Sequence, residues 1–230
     1  MSDETLQAPH ESTRLIVMDV DSTLIDEEVI DLLGEAAGSG DCIADITRQA
    51  MLGEIDFSAA LAKRVALLRG MSTKVLDTVF NNLHFTKGAV EMINTAHHRG
   101  WKVAVVSGGF SELVDRLVEQ AHIDHSLANH LEIKNNILTG NTTGPIVTKS
   151  TKLESLQRWA AHDGIPMSQT VAIGDGANDI PMIQTAGIGI AFCAKPLVQQ
   201  AAHYSITQRD LMQVINIIDA HDREMEQHRH

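Results

Sequence analysis

The sequence predicts an α/β protein: a doubly wound, mostly parallel sheet with a small helical cap domain inserted near its start. Three observations lead there. Apolar runs at Leu15–Met18, Trp101–Ser107 and Val171–Gly174 read as strands buried on both faces, with helical periodicity between them. Two of these runs end in acids, Asp19 and Asp21 after the first and Asp175 after the third. That places carboxylates at the carboxyl edge of the sheet, where open α/β folds bind ligands. Finally, residues 27–85 carry helical patterns alone, between two strand-rich parts.

Composition bounds the function. The chain has 230 residues, 43% of them hydrophobic, enough for one core domain and a smaller one. A formal net charge of -12 argues against nucleic acid or an anionic membrane as the main partner, so a small-molecule substrate is expected, on a monomer or homodimer. Cys42 and Cys193 match neither a zinc pattern nor a disulfide framework, and are expected as buried free thiols in a reducing cytoplasm. The stretch MSDETLQAPHEST is polar and unlike a signal peptide, and no apolar run approaches the ~20 residues of a membrane helix.

Taken in order, residues 1–13 read as a disordered tail and 14–26 as the first strand and loop of the core. Asp26 caps a helix bearing Val29, Ile30, Leu32, Leu33, Ala36 and Ala37, stopped by Gly38-Ser39-Gly40. Asp41 opens a helix to about Leu52, Asp56 caps Phe57–Leu68, and Ser72 caps Thr73–Phe80, which completes the cap, 27–85. The core resumes over 86–220. A helix with Val90, Ile93, Ala96 and His97 leads to the strand ending in Ser107-Gly108-Gly109, and helix Ser111–Gln120 follows. Weaker strands Leu127–Ile133 and Ile137–Thr148 form a hairpin at Asn135-Asn136. A helix from Ser150 or Thr151 carries Leu153, Leu156, Trp159 and Ala160. After Val171–Gly174 come a helix with Ile180, Met182 and Ile183, a strand Gly187–Ala191, a helix starting at Pro196, and a last helix Leu211–Ile218. Residues 221–230, HDREMEQHRH, read as a charged, frayed tail.

Asp19 and Asp21, two residues apart, leave an extended strand on the same side. A turn-forming and capping role accounts for one such pair, but not for a second acidic strand end at Asp175. Four segments therefore meet at one edge: Asp19/Asp21, Ser107, the loop with Lys149, and Asp175/Asn178/Asp179. Crowded carboxylates need a cation, and an all-oxygen set suits Mg²⁺. Backbone N–H groups at Ser107-Gly108-Gly109 can cradle an anion, and Lys149 brings positive charge. This is equipment for phosphoryl transfer, which is mostly positioning and charge neutralisation.

These residues in this order resemble the haloacid-dehalogenase (HAD) superfamily of phosphatases: DVDST from Asp19 to Thr23, Ser107, Lys149, and GDGAND from Gly174 to Asp179. DSTLIDEEVID, ITRQAMLGEIDFSAALAKRV, VSGGF, GDGANDIPMI and AFCAKP extend the resemblance over about Leu15–Leu211, to members that dephosphorylate O-phosphoserine. The resemblance implies that Asp19 is the nucleophile that becomes aspartyl-phosphate, and that Asp21 is first acid, then base. It implies Mg²⁺ on Asp19, the main-chain carbonyl of Asp21, and Asp175. Ser107, Gly108, Gly109 and Lys149 would hold the phosphoryl oxygens, with Asn178 and Asp179 supporting metal and water. Thr23 is expected to fix the Asp19 loop by hydrogen bonding.

In the cap, Arg64 lies on the apolar stripe of Phe57, Leu61, Val65 and Leu68, whereas Lys63 points away. An inward guanidinium wants a carboxylate; a snorkelling arginine or an ion pair within the cap is the plain alternative. The resemblance implies that Arg64 binds the serine carboxylate and Glu28 its ammonium, with Met51 and Phe57 as an apolar wall. Two rivals share parts of the pattern: a phosphatase or phosphotransferase for another phosphorylated amino acid such as phosphohomoserine, and a phosphate-accepting receiver switch. The helical insertion and GDGAND argue against the switch, and the acid Asp21 argues against a dehalogenase.

Overall fold

The first apolar run forms β1 (Leu15–Met18), the central strand of a seven-stranded sheet. The computed structural model describes residues 13–51 and 54–228, with Met51 described by its backbone alone. The remaining strands are β2 (Lys102–Phe110), β3 (His125–Lys134), β4 (Ile137–Thr143), β5 (Thr170–Gly174), β6 (Ile188–Phe192) and β7 (Tyr204–Ile206). Their order is β4-β3-β2-β1-β5-β6-β7, parallel throughout except for the antiparallel β3–β4 pair.

The helices are α1 (Val29–Ala36), α2 (Gly40–Met51), α3 (Phe57–Ala66), α4 (Lys74–Phe80), α5 (Ala89–His98), α6 (Ser111–Ala121), α7 (Lys149–His162), α8 (Ile180–Thr185), α9 (Pro196–Ala201) and α10 (Met212–Gln227). They cover both faces of the sheet, and alternate strand residues feed two cores. Ile16, Met18, Val103, Val105, Val171 and Ile173 share one core with Met92, Leu113 and Val214 of α5, α6 and α10. Leu15, Val17, Ala104, Val106 and Ala172 share the other with Leu156, Met182 and Val198 of α7, α8 and α9. Double coverage is why these strands are continuously apolar rather than alternating.

Helices α1–α4 form an insertion into the core. The chain enters at Ile25 and returns at Phe85, which pair as an antiparallel bridge. Hydrogen bonds Asp26 N to His84 O (3.0 Å) and Thr86 N to Leu24 O (2.9 Å) flank that bridge. The segment between α3 and α4 also pairs with the β3–β4 hairpin: Gly70 N donates to Leu138 O (2.9 Å), Leu138 N to Met71 O (2.8 Å) and Thr73 N to Asn136 O (2.9 Å). The hairpin turns at Asn135-Asn136, both left-handed (φ 52° and 60°), as a two-residue hairpin turn demands.

The structure corrects several expectations. β2 and β3 run longer than their apolar runs, because β3 pairs parallel with β2 and then antiparallel with β4. β7 lacks a sequence signal and forms only by adding to β6. The residues expected as a frayed tail continue α10 as far as Gln227. Arg14 bonds Asp222, Arg99 bonds Asp219 at 2.5 and 3.0 Å, and both guanidiniums lie over the Trp101 ring. Asp222 of the expected tail, and Asp219 just before it, thus meet arginines at the amino edge of the sheet. Cys42 and Cys193 are exposed rather than buried, since Cys42 sits on the outer side of α2 and Cys193 in the turn after β6. Residues 1–12, 229 and 230 of the expected tails lie outside the described residues.

Candidate active site

β1 and β5 end side by side. Asp19 follows β1, donating its N–H to Ile173 O of β5 at 3.0 Å, and Asp175 follows β5. The chain then makes a π-type turn, Val20–Leu24, closed by Ile25 N to Val20 O (3.0 Å). Ser22 takes a left-handed conformation inside it (φ 55°), a strained choice for a non-glycine residue that lets the turn double back beneath Asp21. Ser22 Oγ donates to Glu28 Oε1 at 2.7 Å. Thr23 was expected to hydrogen-bond this loop; its Oγ1 is buried and bonds nothing among the described residues, so backbone bonds hold the turn.

Asp19, Asp175 and Asp179 bring carboxylate oxygens within 4.8 Å of one another. Asp179, expected to support metal and water, is fully buried within this group. Lys152 reaches in from α7, with its Nζ 2.8 Å from Asp19 Oδ1 and 2.7 Å from Asp179 Oδ1. Val20 N also donates to Asp19 Oδ1 (2.8 Å), and Gly176 N to Asp179 Oδ2 (3.1 Å).

Lysine placement overturns one expectation. Lys149 is the first residue of α7 and is exposed, whereas Lys152, one turn further on, is buried between the two acids. Thr148 and Thr151 cap the helix reciprocally, Thr148 Oγ1 taking Thr151 N (3.4 Å) and Thr151 Oγ1 taking Thr148 N (3.1 Å). Helical side chains lean back toward the N-terminus, so a lysine one turn inside covers the site, while one at the first position projects past it.

The electrostatics follow from crowding. Burial and then the Asp19 charge push Asp175 up to about 6 and Asp179 up to about 7. Desolvation, then Glu28 and Asp19, raise Asp21 well above the ordinary carboxylate range. Burial works against the Lys152 charge, but Asp179 and Asp19 outweigh it and hold that ammonium protonated. Four carboxylates around one ammonium leave the site short of positive charge. Its all-oxygen donors fit a hard divalent cation, with Asp19 and Asp175 the best placed to hold it, since Lys152 and Gly176 already occupy both Asp179 oxygens.

β2 brings the anion cradle. Its register to β3 shifts between Val106 and Phe110, so Ser107-Gly108-Gly109 bulges from the ladder. Gly109 N donates to the buried Ser107 Oγ at 2.8 Å. Space here is tight: a Cβ on Gly109 would stand 3.0 Å from Asp21 Oδ2 and Ser107 Oγ, and one on Gly108 3.1 Å from Phe57 Cζ, so those side chains would have to shift to admit one. Sequence reading missed Asn129, which is buried. Its Nδ2 donates to Gly108 O (2.8 Å) and its Oδ1 accepts from Val147 N (2.8 Å), tying the cradle to the segment before α7. No local pattern marks this asparagine.

The insertion faces the cradle. Phe57 begins α3, capped by Asp56 through Ala59 N (2.8 Å), and its ring covers Gly108. Arg64, on the same helix, is half-buried and, among the described residues, bonds Ala60 O (3.4 Å) and Thr47 Oγ1 (3.5 Å). Among the described residues no carboxylate lies in ion-pair contact with it; Asp31, Glu28 and Asp21 act on it from further away. Asn178 is half-buried beside Gly176. The Met51 side chain lies outside the described residues.

Comparisons with known proteins agree with this layout. The family model of haloacid dehalogenase-like hydrolases matches residues 16–184. "Phosphoserine phosphatase" of Streptococcus thermophilus is 57% identical over 205 residues, 89% of this chain and 95% of the relative. The protein of the same name from Lactococcus lactis is 54% identical over 205 residues, with the same two shares. A solved structure described as a phospho-aspartyl intermediate analogue of phosphoserine phosphatase superposes with a TM-score of 0.85 at 39% identity, covering 90% of this chain and 99% of that one. A substrate-bound phosphoserine phosphatase complex gives the same score and identity, covering 90% and 98%. With its acid-ended strands, buried lysine and helical insertion, the chain belongs to the haloacid dehalogenase-like hydrolase family.

Proposed function

We propose that this chain hydrolyses O-phospho-L-serine to L-serine and phosphate, using Mg²⁺, as the last step of serine synthesis in the cytoplasm. The observation that carries the chemistry is the buried Asp19 carboxylate, fixed through Oδ1 by Lys152 and the Val20 amide beside the Ser107-Gly108-Gly109 cradle. The names of the relatives support the substrate.

In this reading Asp19 attacks phosphorus, and the bond from phosphorus to the serine oxygen breaks as Asp21 delivers a proton to that oxygen. The product of this step is an aspartyl-phosphate. Asp21, now a carboxylate, takes a proton from water as its oxygen adds to phosphorus and Asp19 departs. A residue serving as acid and then base needs a pKa above the ordinary carboxylate range, and burial with the neighbouring Glu28 and Asp19 charges pushes Asp21 in that direction. Ser107, the cradle amides and Lys152 hold the transferring oxygens; Lys152 takes the place first expected for Lys149. Asp19, Asp175 and the Asp21 carbonyl would hold Mg²⁺, which would supply charge neutralisation at the phosphoryl group when bound. Asn178 and Asp179 position these partners.

Residues 27–85 serve as the cap over a core of 14–26 and 86–220. Its Arg64 meets the substrate carboxylate and Glu28 the ammonium, with Phe57 and Met51 walling the serine side. Arg64 is a desolvated guanidinium with no ion-pair partner among the described residues, as a carboxylate-binding group should be before its ligand arrives. Steady-state phosphate release from a panel of phosphorylated amino acids, with and without Mg²⁺, tests the reading. Many turnovers, fastest on phosphoserine and lost with EDTA, are expected. Faster turnover of phosphohomoserine would reassign the substrate, and a single stable phosphoryl group per chain would make the protein a switch.

A further inference from the structure

We propose that His125, His162 and Asp163 form a second metal site, for a borderline transition ion such as Zn²⁺, at the end of the sheet opposite the active site. Among the described residues two groups bring three potential ligand atoms within 4.8 Å of one another: the carboxylates described above and this trio. The two differ in chemistry. Three carboxylates suit a hard ion, whereas two imidazoles and one carboxylate suit Zn²⁺ or its neighbours far better than Mg²⁺.

The geometry is specific. His125 Nε2 lies 2.7 Å from Asp163 Oδ2, and His162 Nδ1 lies 2.8 Å from Asp163 Oδ1. The two rings stand nearly perpendicular, at 87° with centroids 5.6 Å apart, so their nitrogen edges approach one carboxylate from two directions. His125 is held in place: its ring stacks on Trp159 of α7 at an interplanar angle of 10°. The side chains of His125 and Asp163 are 20% and 11% exposed, and that of His162 is 72% exposed. Two ligands are thus preset and the third is free to swing onto an ion. Tetrahedral Zn²⁺ bonds nitrogen and oxygen at about 2.0–2.2 Å and would take water as its fourth ligand.

The placement separates this trio from the catalytic centre. His125 opens β3, and His162 and Asp163 lie at the C-terminal end of α7, the helix whose first turn delivers Lys152. Fourteen helical residues span about 21 Å. Of the charged groups nearby, Asp124 precedes His125 and is paired with Lys102 (2.6 Å) and His97 (3.0 Å). An ion bound here would clip the start of β3 to the end of α7.

The test is Zn²⁺ titration by calorimetry on the full chain in saturating Mg²⁺, with thermal melts alongside. Wild type is expected to bind one Zn²⁺ and melt higher with it. His125→Gln should lose that equivalent and the melting shift, and the exposed His162→Ala should weaken binding at least tenfold while its Zn²⁺-free melt stays at the wild-type value. Co²⁺ in place of Zn²⁺ should give visible ligand-field bands that vanish in His162→Ala. Equal binding by wild type and His162→Ala would overturn the site. So would an equivalent that survives His125→Gln but is lost in Asp175→Asn, which would place the ion among the catalytic carboxylates.

Discussion

The carboxyl edge of the core and the inner face of the helical insertion solve opposite problems. At the core edge charge is compensated within the protein: Lys152 bridges Asp19 and Asp179, and backbone amides hold each of them. On the insertion, Arg64 is stripped of much of its water yet is given only a carbonyl and a distant hydroxyl. The first arrangement is compensated without a ligand, whereas the second leaves a guanidinium with no carboxylate in ion-pair contact among the described residues. Preorganised dipoles and charges lower a barrier because they need no rearrangement during reaction. An unpartnered guanidinium discriminates because a ligand without a carboxylate leaves it unsatisfied. In the proposed function, chemistry falls to the sheet edge and selection to the insertion.

The most severe way to break this division is Asp19→Asn, which should reduce steady-state phosphate release by about 10⁴-fold or more. Residual turnover near wild type would remove the nucleophile from the scheme. Next comes the lysine pair. Lys152→Ala should lower kcat by about 10²–10³-fold. It should also cost roughly 3 kcal/mol in urea unfolding at neutral pH, because two buried carboxylates lose their counter-charge. Lys149→Ala, at an exposed helix start, should match wild type in both measurements. Equal losses from the two lysines would contradict the observed geometry.

Arg64→Ala sharpens the comparison from the other side. It should lower kcat/KM for phosphoserine by about 30- to 1000-fold, the equivalent of about 2–4 kcal/mol, and leave phosphoethanolamine, which lacks the carboxylate, within about threefold. Parallel losses on both substrates would move Arg64 out of the selecting role and into general support.

The smallest effect is a pH dependence of metal-free stability. Asp175 and Asp179 have folded pKa values near 6 and 7, above the 3.8 of an unperturbed aspartate. The folded state therefore keeps protons that the unfolded chain has already released, and stability falls as pH rises from about 4 to about 7. Urea midpoints of EDTA-treated protein should drop over that window. Added Mg²⁺ should restore more stability at pH 8 than at pH 5, since it neutralises carboxylates that are protonated already at the lower pH. A flat profile without metal would mean the carboxylates are relieved in some other way.

Much of the site was legible in sequence because it sits at strand ends. A buried parallel strand is a continuous apolar run, and the polar residue that ends it is placed by the run itself; Asp19, Ser107 and Asp175 were found that way. Helical positions were harder. Lys149 and Lys152 lie three residues apart on one helix, and which of them turns inward depends on where the Thr148–Thr151 cap starts the first turn. Asn129 was invisible, since its two partners, Gly108 and Val147, come from segments 21 and 18 residues away. The same holds for the last helix, whose Asp219 and Asp222 find arginines more than 100 residues distant.

From the sequence alone came the sheet class, the helical insertion and the acid pair followed by a second acidic strand end, because periodicity and strand termini are local properties of the chain. Tertiary structure decided which lysine meets those acids, which buried amide steadies the anion cradle, and that two histidines converge on Asp163. Each of those is a distance between side chains on different elements, and such distances are set only when the sheet closes and its helices settle against both faces.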